Sequence, residues 1–134
     1  MIVDTSALVA VAQGEPGSEQ LKDAIGGGGW VPAPVIVEYR RVISRGGARE
    51  APASEAVLAK LLVRLAVEPF TANDADIAAA ANRAYGAGNG RGGKLNLLDL
   101  MVYATAKRMG LPILCTGRDF ASTDALIHPA SRTG

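Results

Sequence analysis

The sequence holds one cysteine and one histidine in 134 residues. A lone cysteine excludes an internal disulfide, and Cys115 lies in the apolar run Pro112–Cys115, which reads as a buried, reduced thiol. The single histidine, His128, has no second histidine or cysteine cluster at zinc spacing around it, so it reads as structural. Aromatic residues make up only 4% of the chain, and the core is therefore expected to be packed from small aliphatic side chains. Charge of one sign is also missing. Fourteen basic and thirteen acidic residues leave a net charge of +1, so no global field draws the protein to nucleic acid or membrane, and any such binding rests on local patches. No apolar run approaches bilayer-spanning length, and no positive segment precedes Ile2-Val3. The expectation is a soluble, cytoplasmic protein.

What is present is 49% hydrophobic residues, enough for one well-filled core, and the expectation is a single domain over residues 1–134. Ile2-Val3 reads as a strand, and Asp4-Thr5-Ser6 supplies capping side chains for a helix through Val11. Pro16-Gly17 breaks that helix, and a short second one spans 18–25 before Gly26–Gly29 ends it. Trp30-Val31 suits a strand. From Pro34, apolar residues recur at helical spacing up to Gly46-Gly47. The steps of three and four through Val57, Leu58, Leu61, Leu62 and Leu65 predict a helix capped by Ser54. Val67–Phe70 suits a strand, Asn73-Asp74 caps an alanine-rich helix over 75–85, and a glycine-rich loop covers 86–94. Asn96 then caps a helix reaching Met109, with Gly110 at its end. Pro112–Cys115 reads as a buried strand, and Ala125–His128 as a last one.

Short apolar strands alternating with helices imply an α/β fold, a three-layer α/β/α sandwich around a mostly parallel sheet. Ligands in such folds bind outside the carboxyl ends of the strands. Acidic residues stand at those places. Asp4 directly follows the first strand; it suits helix capping, yet Thr5 and Ser6 could cap equally well. Asp99 interrupts the apolar stretch Leu95–Tyr103, where it serves either as a first-turn charge favoured by the helix dipole or as a site residue. Glu38, inside Val35–Tyr39, suits a surface ion pair with Arg41 or a site role. Asp119 follows a strand and a Thr-Gly turn, in the same position relative to its strand as Asp4, and Asp124 follows five residues later. Together these acids weigh more than any one alone, because strand ends and helix starts converge on one rim. Oxygen-rich clusters suit Mg²⁺ or Mn²⁺, and without a cation their like charges repel.

Gly88–Lys94 has the Gly-x₄-Gly-Lys spacing of a phosphate-binding P-loop, but Leu95 replaces the Ser or Thr that would hold Mg²⁺, and a helix rather than a strand precedes it. Arg91 and Lys94 in that loop, and the group Arg40, Arg41, Arg45 and Arg49, are either solvated surface or contacts for an RNA backbone or an acidic partner. Arg41 and Arg45 share a helix face.

Met1–Leu8, Val37-Glu38, Asn96–Lys107 and Leu114–Phe120, in this order and spacing, resemble the motif segments of the PIN domain as found in the VapC toxins of bacterial toxin–antitoxin pairs. The resemblance implies a PIN-like fold and a Mg²⁺-dependent endoribonuclease, held inactive by a VapB-type antitoxin and dimeric as a rule. Its substrate would be RNA, structured species such as tRNA or rRNA included, cleaved to leave a 5′-phosphate. Asp4 and Asp99 match the principal metal ligands; Glu38 and Asp119 match the other two acids of the quartet, with Asp124 as the alternative to Asp119. Thr5 or Ser6 would support the ligating carboxylates. Leu98 and Leu100 flank Asp99 where the family often has glycine and cysteine. One histidine cannot run the metal-free route through the ribose 2′-hydroxyl as an acid–base pair.

Two other classes compete. One is a non-catalytic PIN-fold module that binds RNA or protein, against which the retention of all four acids speaks. The other is a hydrolase or phosphotransferase with Asp4 as nucleophile, which would favour a second acid where Ser6 stands.

Overall fold

Ile2 and Val3 form a two-residue strand, β1, with a parallel neighbour on each side in a four-stranded sheet. The computed structural model describes residues 1–45, 51–90 and 94–134. After β1 come α1 (Thr5–Ala12), α2 (Ser18–Gly26), β2 (Gly29–Pro32), α3 (Ala33–Ser44), α4 (Ala51–Leu62), β3 (Leu65–Glu68), α5 (Ala72–Tyr85), α6 (Leu97–Met109) and β4 (Ile113–Leu114). A single 3₁₀ turn covers Phe120–Ser122.

The sheet order is β3-β2-β1-β4 and all pairs are parallel. Ile2 sits opposite both Trp30 and Ile113, and Val3 opposite Leu114. The glycine at position 29 allows β2 to lie this close: a Cβ there would stand 2.9 Å from the carbonyl oxygen of Met1. From β1 the chain moves outward through β2 to β3, then crosses back to place β4 on the other side of β1. Right-handed crossovers therefore put α1–α4 on one face and α5–α6 on the other. The packing agrees, since α1 lies against α2, α3 and α4, while α5 packs chiefly on α6. Ile2, Val3, Val31, Ile113 and Leu114 are buried completely in the middle layer. The result is an α/β/α sandwich, and its strand order reverses direction between β1 and β4, where the crevice for ligands belongs in folds of this kind.

Several boundaries differ from expectation. α4 covers Ala51–Leu62, so Ser54 lies inside the helix and its carbonyl accepts the Tyr39 hydroxyl at 2.7 Å. Leu65 continues the helical spacing, yet it belongs to β3, which starts two residues before Val67 because pairing with β2 claims it. Thr71 rather than Asn73-Asp74 caps α5; its hydroxyl accepts the Asp74 N–H, and Asp74 returns the bond to the Thr71 N–H. Ala125–His128 is not a full strand. Ile127 makes one parallel bridge to Ile113, and Pro129 interrupts the ladder. The Ser131 hydroxyl then takes the place of backbone, accepting from Cys115 N and donating to Ile113 O, before Arg132 bridges to Thr116. Gly46-Gly47, the expected stop of α3, lie outside the described residues.

Candidate active site

At the crevice between β1 and β4 a cleft of about 310 Å³ is lined by five carboxylates, Asp4, Glu15, Glu38, Asp99 and Asp119, with Thr5, Ser6 and Thr116 between them. Each reaches it from a different element. Asp4 ends β1 and caps α1: its Oδ2 accepts Ser6 N–H at 3.1 Å and the Ser6 hydroxyl at 2.5 Å. Ser6 Oγ in turn accepts Thr116 N–H at 3.0 Å, and Asp4 N–H donates to Leu114 O. One hydroxyl thus ties the ends of β1 and β4 together. Asp99 stands in the first turn of α6 in a capping box, accepting Asn96 N–H while Asn96 Oδ1 accepts Asp99 N–H. The capping and site readings of Asp4 and Asp99 therefore describe the same positions. Glu38 comes from the middle of α3, and Asp119 from the turn after Gly117, whose φ of +87° lets the chain reverse.

The electrostatics follow from this gathering. Asp4 is 5% exposed; burial raises its carboxyl pKa, the bonds from Ser6 oppose this, and Glu38 adds to the rise. Burial pushes Asp99 up to about 7, against the Asn96 hydrogen bond and with the added repulsion of Asp4, Asp119 and Glu38. Among the described residues, no lysine or arginine lines this cleft. Nor are any three Asp, Glu, His or Cys side chains among them grouped so as to hold a metal ion as they stand; carboxylates without a counter-ion repel one another. The Thr5 hydroxyl, lining the same cleft, is buried with no hydrogen-bond partner.

Asp124 lies apart from the cleft. Its carboxylate accepts the Tyr103 hydroxyl at 2.5 Å and Lys107 Nζ at 3.1 Å, bonds that hold it below the usual carboxylate range. The expected partner of Glu38, Arg41, is not bonded to it; Arg40 instead pairs with Glu55 at 2.8 Å. Arg41, Glu38 and Asn96 line a neighbouring groove of about 720 Å³ that is otherwise apolar, walled by Val37, Phe70, Leu97 and Met101. A second apolar groove of about 600 Å³ continues from Phe70 along α5. Val37 and Leu97 are 70% and 76% exposed. Arg49 and Arg91 lie outside the described residues, Lys94 and Arg45 are exposed, and α5 precedes the glycine-rich loop as the P-loop objection required.

Cys115 is a free, fully buried thiol, pushed up to about 11 by burial and by Asp4. The His128 Nδ1 accepts Ala130 N–H in a turn. Sequence reasoning missed Glu15, a loop acid with no local pattern to mark it; only the fold brings it to the cleft.

Comparison with known proteins places this geometry in a family. The PIN domain family matches residues 1–126. The ribonuclease VapC42 of Mycobacterium tuberculosis is 40% identical over 134 residues, covering 97% of this chain and 98% of its own. Ribonuclease VapC36 of the same organism is 39% identical over 129 residues, covering 92% and 90%. Among solved structures, Mycobacterium tuberculosis VapC20, a sarcin-ricin loop cleaving toxin, is similar with a TM-score of 0.74 at 18% identity, covering 93% of this chain and 95% of its own. VapBC2 of Rickettsia felis, bound to a DNA fragment from its promoter, gives 0.72 at 16% identity, with 94% of each chain covered. These two likenesses show a shared fold.

Proposed function

We propose, from the premise that this chain belongs to the PIN-domain family and to the VapC ribonucleases within it, that it is a divalent-metal-dependent endoribonuclease and the toxin of a type II toxin–antitoxin pair. The observation that carries this reading is the convergence of Asp4, Glu38, Asp99 and Asp119, distant in sequence, on one cleft at the β1–β4 crevice. We assign Asp4 and Asp99 as metal ligands and Glu38 and Asp119 as the other acids of the site. Asp119 is preferred to Asp124 because Tyr103 and Lys107 already occupy the latter.

The residues present fit a hard cation. The donors are all oxygens, which suits Mg²⁺, with Mn²⁺ as a substitute. Both raised carboxyls would be relieved by a positive charge, and the unpartnered Thr5 hydroxyl fits a site completed by water. Bound there, Mg²⁺ would supply a water of lowered pKa and offset charge on the phosphate. The chain's own residues do the rest. Ser6 fixes the Asp4 carboxylate and Asn96 that of Asp99, so neither has to be ordered when substrate arrives. Glu38 and Asp119 orient the attacking water and take up its proton on a carboxylate oxygen. In-line attack on phosphorus then breaks the P–O3′ bond; the 3′-oxygen leaves as a hydroxyl, taking a proton from solvent water, and the other product carries a 5′-phosphate.

The partners are RNA, a VapB-type antitoxin and a second copy of the chain. The exposed apolar strip of Val37 and Leu97 beside the acid cleft supports protein docking next to the site. No helix among the described residues is long and apolar enough to cross a membrane, and the place of action is the cytoplasm, with residues 1–134 acting as one domain.

Incubating purified protein with total cellular RNA, with Mg²⁺ or with EDTA, tests this reading. Cleavage should require the ion and fall by on the order of 10²–10³-fold in Asp4→Asn and Asp99→Asn. Cleavage that persists in EDTA or in both variants overturns it.

A further inference from the structure

We propose that Glu15 and Arg132 form a latch at the lip of the acid cleft, in which Arg132 exchanges Glu15 for a phosphate of the bound RNA; this rests on the ribonuclease reading above. A polyanion entering a cleft lined by five carboxylates needs cations besides the metal. The described residues that line the cleft include none. Arg132 stands immediately behind one of them: its NH1 lies 3.5 Å from Glu15 Oε2.

Three features fit a held but uncommitted cation. The first is the length of the pair, well beyond the 2.7–2.9 Å of a committed charge-assisted bond. The second is that NH1 is buried yet has no hydrogen-bond partner. The third is that both side chains are partly exposed, 36% for Arg132 and 40% for Glu15, and pairs of this kind are weak enough to exchange.

The arginine is also firmly placed. Its N–H donates to Cys115 O at 3.0 Å and its carbonyl accepts Gly117 N–H at 2.8 Å, so its backbone straddles Thr116, which lines the cleft. The side chain runs across Gly17, where a Cβ would stand 3.1 Å from Nε. A guanidinium so placed can meet a phosphate with two parallel hydrogen bonds, a geometry that Glu15 does not reach.

The test is RNA binding in the Asp99→Asn background, so that the probe survives. A fluorescein-labelled RNA oligonucleotide of randomised sequence is titrated by anisotropy in Mg²⁺ at several salt concentrations. Arg132→Gln should weaken binding by about threefold or more and reduce the salt slope by about 0.7–0.9, one phosphate contact. Glu15→Gln, which frees the arginine and removes a charge from the lip, should tighten binding; a structural pair would instead lower affinity and melting temperature together in both variants. Arg132→Gln binding with unchanged affinity and slope overturns the latch, as does Glu15→Gln failing to tighten binding. Glu15→Gln decides alone should Arg132→Gln fail to fold. A parent that binds no RNA overturns the ribonuclease reading and the latch with it, whereas binding indifferent to both substitutions overturns the latch only.

Discussion

The two ends of α6 treat charge in opposite ways. In its last turn Arg108 donates to Asp74 from Nε at 2.5 Å and from NH2 at 3.1 Å, and to Glu68 at 2.8 Å, joining α6 to the end of β3 and the start of α5. Asp74 is fully buried. Burial alone would raise its carboxyl, but the bonds from Arg108 and Thr71 outweigh it and hold the group below its ordinary range. In the first turn Asp99 faces three further acids and no cation among the described cleft residues, and it is pushed up to about 7. One end spends its charges on holding the fold together. The other leaves them unneutralised, which costs stability and, on the proposed reading, prepares a metal site.

The contrast can be broken most severely at the paired end. Arg108→Ala strands Asp74 in the interior and should cost about 3–5 kcal/mol, read as a lowered urea midpoint with the slope unchanged. A smaller effect tests the opposite end. Mg²⁺ at about 100 times its dissociation constant should stabilise the wild type by about 2.7 kcal/mol. Asp99→Asn should lose most of that rise in a calorimetric melt; an equal rise in both would detach Asp99 from metal binding.

Smaller again is the effect of Asp99→Asn without metal. The folded protein holds the Asp99 proton up to about pH 7, while the unfolded chain releases it near 3.8. Wild-type stability therefore declines as pH rises across that window and levels off above it. The variant should melt about 3–5 °C higher than wild type at pH 8, for ~1 kcal/mol, and the difference should vanish toward pH 4. Asp74 carries the opposite sign: its contribution is complete above about 3.8 and is lost as pH falls through its depressed value. Acid unfolding of Asp74→Asn should consequently be shallower at the low-pH end than that of the wild type.

Much of this was legible in the residues. Asn96 and Gly110 bound α6 as read, the latter with φ of +67°, because their chemistry admits few other uses. Asp4 stood out since it directly follows the first strand, and Asp99 since it interrupts an apolar segment. What stayed hidden depends on contacts between distant segments. Thr71, Asn73 and Asp74 can all cap a helix, and only the position of β3 decides for Thr71. Leu65 fits the helix as well as the strand until β2 lies beside it. Asp119 and Asp124 are both turn acids, separated only when Tyr103 and Lys107 reach the second. Glu15 resembles any solvated loop acid until Arg132 arrives from the other end of the sequence.

The reversal of strand order at β1 also governs the timing of synthesis. Domains take shape as the chain emerges from its amino end, and β1 carries Asp4 out first, with α3 and Glu38 following. Its partner on the other side, β4, comes late, and Asp119 later still. A ribosome partway along the message therefore displays Asp4, Glu15 and Glu38 on an unfinished sheet. The cleft closes only once β4 and the turn that carries Asp119 have emerged.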